Sequence, residues 1–131
     1  MKRTVLAWGP PVLWALVLFF LSEFRSAPSI AAPLLTVPDK LLHFLLYAAM
    51  GASLAWARHT SGARVRHGFL VALGSAYGAA DEWHQSFVPG RNPDVLDWVA
   101  DVAGVVVGYF VVVHLLGRGR ASRKPKHADS E

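Results

Sequence analysis

Four apolar segments alternate with short polar stretches along this chain of 131 residues. They cover residues 4–21, 41–57, 68–87 and 95–116. A helix needs about 20 residues to cross the hydrocarbon core of a bilayer. The third segment reaches that length only if Asp81, Glu82 and Gln85 lie inside the helix. The pattern therefore predicts an all-α fold, a four-helix transmembrane bundle, whose third helix carries polar side chains.

The segments divide the chain into three parts. Residues 1–38 are predicted to form a first transmembrane helix and an outward linker, 39–116 a three-helix core, and 117–131 a basic cytoplasmic tail. The first segment also has the outline of a cleaved signal peptide, with Lys2 and Arg3 before an apolar run. That run is long for a signal peptide, so we favour a retained helix. Pro10 and Pro11 predict a kink or a restart within it, since neither can donate a backbone hydrogen bond.

Composition places the chain in the membrane class, because 53% of the residues are hydrophobic and only 17% are charged. The absence of cysteine excludes disulfides, thiolate metal sites and a cysteine nucleophile. The formal net charge of +4 does not indicate nucleic acid, since the basic residues lie between the apolar segments and in the tail, without interleaved aromatic residues. We expect membrane lipids as partners and leave the oligomeric state open.

The distribution of positive charge predicts the orientation. Of the thirteen Lys and Arg residues, ten lie before the first segment, between the second and third, or after the fourth. Lysine and arginine accumulate in cytoplasmic loops of membrane proteins. Both termini are therefore predicted to be cytoplasmic, and residues 22–38 and 88–94 to face outward.

Polar side chains and glycines share one face of each of the last three predicted helices. The polar positions are Asp39, Lys40, His43 and Tyr47, then Asp81, Glu82 and Gln85, then Asp97 and Asp101; the glycines are Gly51, Gly74, Gly78, Gly104 and Gly108. Ionisable groups in a membrane tend to face the bundle interior and to pair, and small residues let helices approach closely. The sequence therefore predicts that three helices pack along their glycines and gather the polar groups into one outward site.

Several of these residues also have purely structural interpretations. Asp39 could assist a helix cap formed by Thr36, Asp94 is a candidate N-cap, and Asp97 would then lie in the first turn, where the helix dipole favours a carboxylate. Pro89-Gly90 predicts a type II turn, which directs Arg91 back toward the acids. Packing roles for His43 and Tyr47 also remain open.

The residue types allow more than one chemistry. His43, Glu82 and Asp101 are possible metal ligands by type, but no known ligand spacing connects them, and we predict neither a metal nor a cofactor. Ser86 lacks the glycines of a nucleophile elbow. Carboxylates close to Lys40 and Arg91 suit either proton transfer or recognition of a polar head group, and the residue types do not distinguish these two roles.

These motifs resemble the VanZ-like membrane proteins. Asp39-Lys40-x-x-His43-x-x-x-Tyr47, then Glu82-x-x-Gln85-x-Phe87-x-Pro89-Gly90-Arg91, then Asp97-x-x-x-Asp101-x-x-Gly104-x-x-x-Gly108 follow the family pattern in order. One departure is Asp101, which stands where the family usually has Asn. The resemblance implies a small multi-pass protein of the bacterial cell membrane. The family's namesake accompanies glycopeptide-resistance genes and lowers sensitivity to teicoplanin.

The leading hypothesis is a non-transporting envelope protein whose outward site binds or modifies an anionic lipid-linked or cell-wall-related molecule. Arg91 and Lys40 would hold its phosphate or carboxylate, and Glu82, Gln85, Asp97 and His43 would position it or move a proton. The alternative is an intramembrane acid–base enzyme acting on an envelope lipid, with Glu82 or His43 as general base. A small transporter is less favoured, because the chain has no evident repeat or broken helix.

Overall fold

Four α-helices make up the computed structural model, which describes residues 2–24 and 37–121. No strand occurs within those two ranges, so the predicted all-α class is confirmed. The helices are α1 (Lys2–Phe24), α2 (Asp39–Ser61), α3 (His67–Gln85) and α4 (Val95–Ala121). Residues 22–24 of the predicted linker belong to α1, and residues 117–121 of the predicted tail belong to α4. The rest of the linker, residues 25–36, and the tail beyond Ala121 lie outside the described residues.

Three of the four helices are long and apolar enough to cross a membrane. The spans are Thr4–Glu23, Asp39–Ser61 and Val95–Gly119, with mean hydropathies of 1.9, 1.2 and 2.2. Helix α3 has 19 residues and is not among them, because polar residues and glycines interrupt its apolar run. The chain therefore has the helices of a membrane protein, and the crossing by α3 stays a prediction.

Two local details differ from the expectations. Helix α1 continues through Pro10 and Pro11, so the predicted restart does not occur; transmembrane helices tolerate proline where neighbouring groups satisfy the freed backbone. Helix α3 ends at Gln85, and Phe87 donates its N–H to the His84 carbonyl in the turn that follows. Glu82 therefore lies in the last turn of α3 and not deeper in the helix.

Helices α2 and α4 form the tightest contact of the bundle, and they run parallel to each other. The backbone of Gly104 lies against Phe44, that of Gly108 against Ala48, and that of Gly51 against Val105. A Cβ at any of the three glycines would overlap the backbone of the opposite helix. Glycine is therefore a steric requirement of this close approach.

Helix α3 runs antiparallel to both and packs through its own glycines. A Cβ at Gly78 would lie 3.0 Å from the Asp101 Cβ, and one at Gly74 would lie 2.9 Å from a Val105 methyl group. All five glycines singled out in the sequence thus lie at helix contacts. Close packing here brings the end of α3 against the beginning of α4.

Helix α1 covers the bundle on the side of α2 and α3. The Trp14 indole N–H donates to the Leu46 carbonyl at 2.9 Å, and the Tyr77 hydroxyl donates to the Ala15 carbonyl at 2.6 Å. Leu18 joins Met50 and Leu54 in the buried apolar core. The pairings place the end of α1 beside the end of α3, at the same end of the bundle as the beginnings of α2 and α4.

Candidate functional site

The polar residues converge at that end of the bundle. Side chains from α2, α3 and α4 meet there, and most of them are buried: His43, for example, is 4% exposed, Glu82 7%, Asp97 4% and Asp101 0%. Removing a charged group from water is costly unless it is paired or hydrogen-bonded. The partners of each group therefore determine what this end of the bundle can do.

The His43 imidazole lies at the centre of the buried carboxylates. Its Nδ1 is 2.9 Å from an Asp101 carboxylate oxygen and 3.8 Å from Oε1 of Glu82, while its Nε2 is 4.0 Å from an Asp97 oxygen. The three acids come from two helices, α3 and α4. One imidazole on α2 thus connects all three helices of the site.

Three polar atoms in this group are buried without a hydrogen-bond partner. They are Nε2 of His43, Oε1 of Glu82 and Oδ2 of Asp101. Unsatisfied buried polar atoms are uncommon in folded proteins and call for an explanation. Each of these atoms can take part in proton transfer, or coordinate a cation when deprotonated.

Lys40 is engaged by two acids near the beginning of α4. Its Nζ lies 2.7 Å from an Asp94 oxygen and 2.9 Å from an Asp97 oxygen. The hydrogen bond from Lys40 holds the pKa of Asp94 below its usual value, with a further contribution from the Leu96 backbone N–H. An anion bound by Lys40 would have to displace these two carboxylates.

Asp94 has a larger role than its sequence position indicates. Its side chain accepts a hydrogen bond from the Leu96 N–H at 2.8 Å, which is the expected N-cap of α4. Its own backbone N–H donates to Glu82 at 3.0 Å, and its other carboxylate oxygen holds Lys40. The capping role could be predicted from the sequence. The hydrogen bonds to Glu82 and Lys40, which are 12 and 54 positions away, could be seen only in the structure.

A second network lies beside the first, on the α1 side. The Tyr47 hydroxyl and the Gln85 amide each donate to the same Asp81 oxygen at 3.3 Å. Arg91 in turn donates from its guanidinium to the Gln85 carbonyl oxygen. Arg91 therefore reaches the acids through Gln85, and its side chain is only half-buried.

The turn after α3 positions Arg91 as the sequence indicated. Gly90 has a φ of 81°, and the Arg91 N–H donates to the Val88 carbonyl at 3.1 Å. Positive φ at the third residue and this hydrogen bond are the features of a type II turn. The short connection brings Arg91 back over the end of α3.

A small cavity of about 20 Å³ separates this network from α1. Its volume is sufficient for roughly one water molecule. Its lining residues are Leu18, Leu21, Ser22, His43, Leu46, Tyr47, Asp81, Gln85 and Arg91. Three of them come from α1, which the sequence analysis did not include in the site.

Asp39 lies at the edge of the site. It is exposed as the first residue of α2, which Pro38 precedes without a side-chain cap. The expected capping partner Thr36 falls outside the described residues. One oxygen of Asp39 lies within 4.8 Å of a His43 ring nitrogen and an Asp97 oxygen. The nine polar residues selected from the helices, together with Arg91, thus all lie at one end of the bundle, with Asp39 at the margin.

A side-chain hydrogen bond between α1 and α3 was missed by the sequence analysis. Nε2 of His84 lies 2.6 Å from a Glu23 oxygen. Nothing in the spacing of the two residues along the sequence indicates their contact. The pair ties the end of α1 to the rim of the polar site.

Comparison with known proteins assigns the family. The family model described as VanZ/LLP1 matches residues 14–117, which is most of the chain and includes all ten polar residues. No curated protein and no solved structure matches significantly. With three helices capable of spanning a membrane and a polar site built from the matched region, this chain is a VanZ-like membrane protein and belongs to the VanZ/LLP1 family.

Proposed function

We propose that this protein acts in the bacterial plasma membrane and binds or modifies an anionic lipid-linked or cell-wall-related molecule at its polar site. By the positive-inside rule the site faces outward, where such molecules are exposed. A contribution to resistance against teicoplanin, a lipid-bearing glycopeptide, is part of this proposal and follows from the family.

The observation that carries the proposal is the position of Arg91 over the polar residues. Its guanidinium is half-buried at the end of the bundle and donates a hydrogen bond to Gln85, whose amide is neutral. Among the described residues, no carboxylate lies within ion-pairing distance of Arg91. Arginine is well suited to bidentate binding of phosphate or carboxylate. Arg91 is thus better placed than Lys40, whose ammonium already holds Asp94 and Asp97.

Antibiotic susceptibility tests the proposal. The chain is expressed in a sensitive Gram-positive host, and growth inhibition by teicoplanin is compared with that by vancomycin, which lacks the lipid. We expect selective protection against teicoplanin, lost in Arg91→Ala and in Glu82→Gln. Arg118→Ala, which removes an exposed arginine at the other end of the bundle, serves as the control at matched membrane abundance.

Direct binding separates the site from the resistance phenotype. Purified protein in nanodiscs is titrated with an undecaprenyl pyrophosphate probe, chosen as an anionic envelope lipid. We expect saturable binding that weakens in Arg91→Ala and persists in Arg118→Ala. Equal binding and equal protection by the Arg91 and Glu82 variants and the wild type would refute the proposed site.

Intramembrane acid–base catalysis is the second candidate. It is favoured by the arrangement of Glu82, whose unpartnered Oε1 lies 3.8 Å from the same His43 nitrogen that contacts Asp101. A carboxylate and an imidazole at this separation could pass a proton to or from a bound lipid. Turnover of the lipid probe by wild type, abolished in Glu82→Gln while binding persists, would distinguish catalysis from binding alone.

A further inference from the structure

We propose that His43, Glu82 and Asp101 form a binding site for one divalent metal ion of the Zn²⁺ or Mn²⁺ class. Each residue offers one donor atom, and the three atoms lie within 4.8 Å of one another. Imidazole nitrogen with carboxylate oxygen is a donor set used by such ions. The sequence analysis named these three residues as possible ligands by type but predicted no metal, because they lie on three separate helices without a known ligand spacing.

The separations between the donors are compatible with a shared ion. Bonds of about 2.0–2.2 Å from one ion place tetrahedral ligands roughly 3.3–3.6 Å apart. Nδ1 of His43 lies 2.9 Å from Asp101 and 3.8 Å from Glu82, and these two distances bracket that range. An ion would replace the His43–Asp101 hydrogen bond with one bond to each residue.

Unpartnered atoms are the independent evidence for a ligand. Oε1 of Glu82 and Oδ2 of Asp101 are buried without a hydrogen-bond partner, on side chains that are 9% and 0% exposed. Among the described residues, no Lys or Arg approaches either carboxylate to ion-pairing distance. Buried carboxylates without compensation are strongly unfavourable, and a divalent cation between them would supply the missing charge.

The groups around the donor set are also compatible with a metal site. The second oxygen of Glu82 accepts the Asp94 backbone N–H at 3.0 Å. The ring nitrogen of His43 that faces away from the donor set lies 4.0 Å from an Asp97 oxygen. Metal-bound histidines commonly present their other nitrogen to a carboxylate, which fixes the tautomer and the ring orientation. Asp97 is placed to do this for His43.

Three protein ligands leave a coordination position open, as in catalytic zinc sites. That position could accept water or an anionic oxygen of the lipid-linked molecule proposed above. The metal site does not depend on that molecule, because it is defined by residues of this chain alone. Metal binding and lipid binding are therefore measured separately, and either can fail without the other.

The first test measures metal binding by the full chain in nanodiscs. Protein stripped with a chelator is titrated with Mn²⁺ and Zn²⁺ by calorimetry, and bound metal is counted by mass spectrometry after dialysis. We expect one ion per chain, with affinity reduced more than about tenfold in Glu82→Gln and Asp101→Asn, since even residues that only orient ligands contribute about 10–100-fold. Glu23→Gln, which alters a carboxylate paired with His84, should bind as wild type does.

A ligand exchange tests direct coordination. The chain contains no cysteine, so a thiolate-to-metal absorption band of Co²⁺-loaded His43→Cys can arise only at position 43. His114→Cys, at an exposed position of α4, should give no such band. The inference is overturned if wild type binds no metal saturably, if both carboxylate variants bind as tightly as wild type, or if Co²⁺ bound to His43→Cys lacks the band.

Discussion

At the scale of single residues, the carboxylates of the site differ in whether a lysine or arginine side chain pairs with them. Lys40 pairs with Asp94 and Asp97, whereas for Asp101 and Glu82 the His43 imidazole is the only basic side chain within 4.0 Å among the described residues. Lys40 and Asp94 lie at the exposed edge of the site, whereas Asp97, Glu82 and Asp101 are buried. The site therefore has two electrostatic environments: ion pairs with Lys40 at its edge, and buried carboxylates without such a pair in its interior.

The edge pair gives a prediction for pH dependence. Lys40→Met should raise the pKa of Asp94, which lies below its ordinary value of 3.8 mainly because of the Lys40 hydrogen bond. Because the pKa of Asp94 is lowered, the stability contributed by the Lys40–Asp94 pair is fully present at pH values above 3.8. That contribution is lost as the pH falls through the lowered pKa of the folded protein. Carbon-13 NMR of labelled aspartate, assigned with Asp94→Asn, measures both pKa values.

Lys40→Arg is the control for that experiment, because it keeps a cationic donor at the position. Its Asp94 pKa should stay depressed. An Asp94 pKa that is the same in wild type and Lys40→Met would show that the N-cap hydrogen bond, and not Lys40, determines the shift.

At the scale of helices, backbone contact between α2 and α4 determines where the site residues lie. Gly104 and Gly108 allow α4 to approach Phe44 and Ala48 directly. The same face of α4 carries Asp97 and Asp101 toward Lys40 and His43 on α2. Larger residues at the glycines would separate the helices and, with them, the paired side chains.

Gly108→Ala should therefore destabilise the bundle by about 1–3 kcal/mol, the usual cost of overpacking. The obstacle is the Ala48 backbone, which cannot move aside as a side chain can. Unfolding in mixed detergent titrations, followed by circular dichroism, measures the free energy of unfolding.

Gly117→Ala on the same helix provides the matched control, since a Cβ there meets nothing within 4 Å. Alanine is favoured over glycine in helices by about 1 kcal/mol, so this variant should be neutral or slightly more stable. If the two variants had equal unfolding free energies, steric contact at Gly108 would not explain the packing.

At the scale of the whole molecule, the helices alternate in direction and place the polar site at one end and, within residues 2–24 and 37–121, most of the basic residues at the other. Arg58, Arg64 and Arg66 lie at the end of α2 and in the connection to α3. The turn with Arg91 lies at the opposite end. The positive-inside rule predicts that the basic end is cytoplasmic, and therefore that the polar site faces outward.

Cysteine labelling tests this orientation. In a chain without natural cysteine, Asn92→Cys should react with an impermeant maleimide added to intact cells. Thr60→Cys, exposed near the end of α2, should react only after the membrane is permeabilised. The reverse pattern would place the polar site in the cytoplasm and remove the basis for an outward-facing ligand.

The sequence by itself determined the all-α class and the four helices, and it selected ten polar residues as a candidate site. Apolar length identified α1, α2 and α4, because a bilayer imposes a minimum span whatever the packing. The shared stripes identified the polar residues and glycines, because helical periodicity is a local property. Helix ends were less certain: the end of α3 at Gln85 depends on turn hydrogen bonds, which the apolar pattern does not reveal.

Only the tertiary structure decided which polar groups meet. The engagement of Lys40 by Asp94, the link from Asp94 to Glu82 and the contribution of Ser22 to the cavity all depend on contacts between distant positions. The approach of His43, Glu82 and Asp101 to one another, on which the proposed metal site rests, likewise depends on such contacts. Periodicity fixes the face of a helix on which a side chain lies, but its height relative to another helix follows from packing, which here is determined by glycine contacts between backbones.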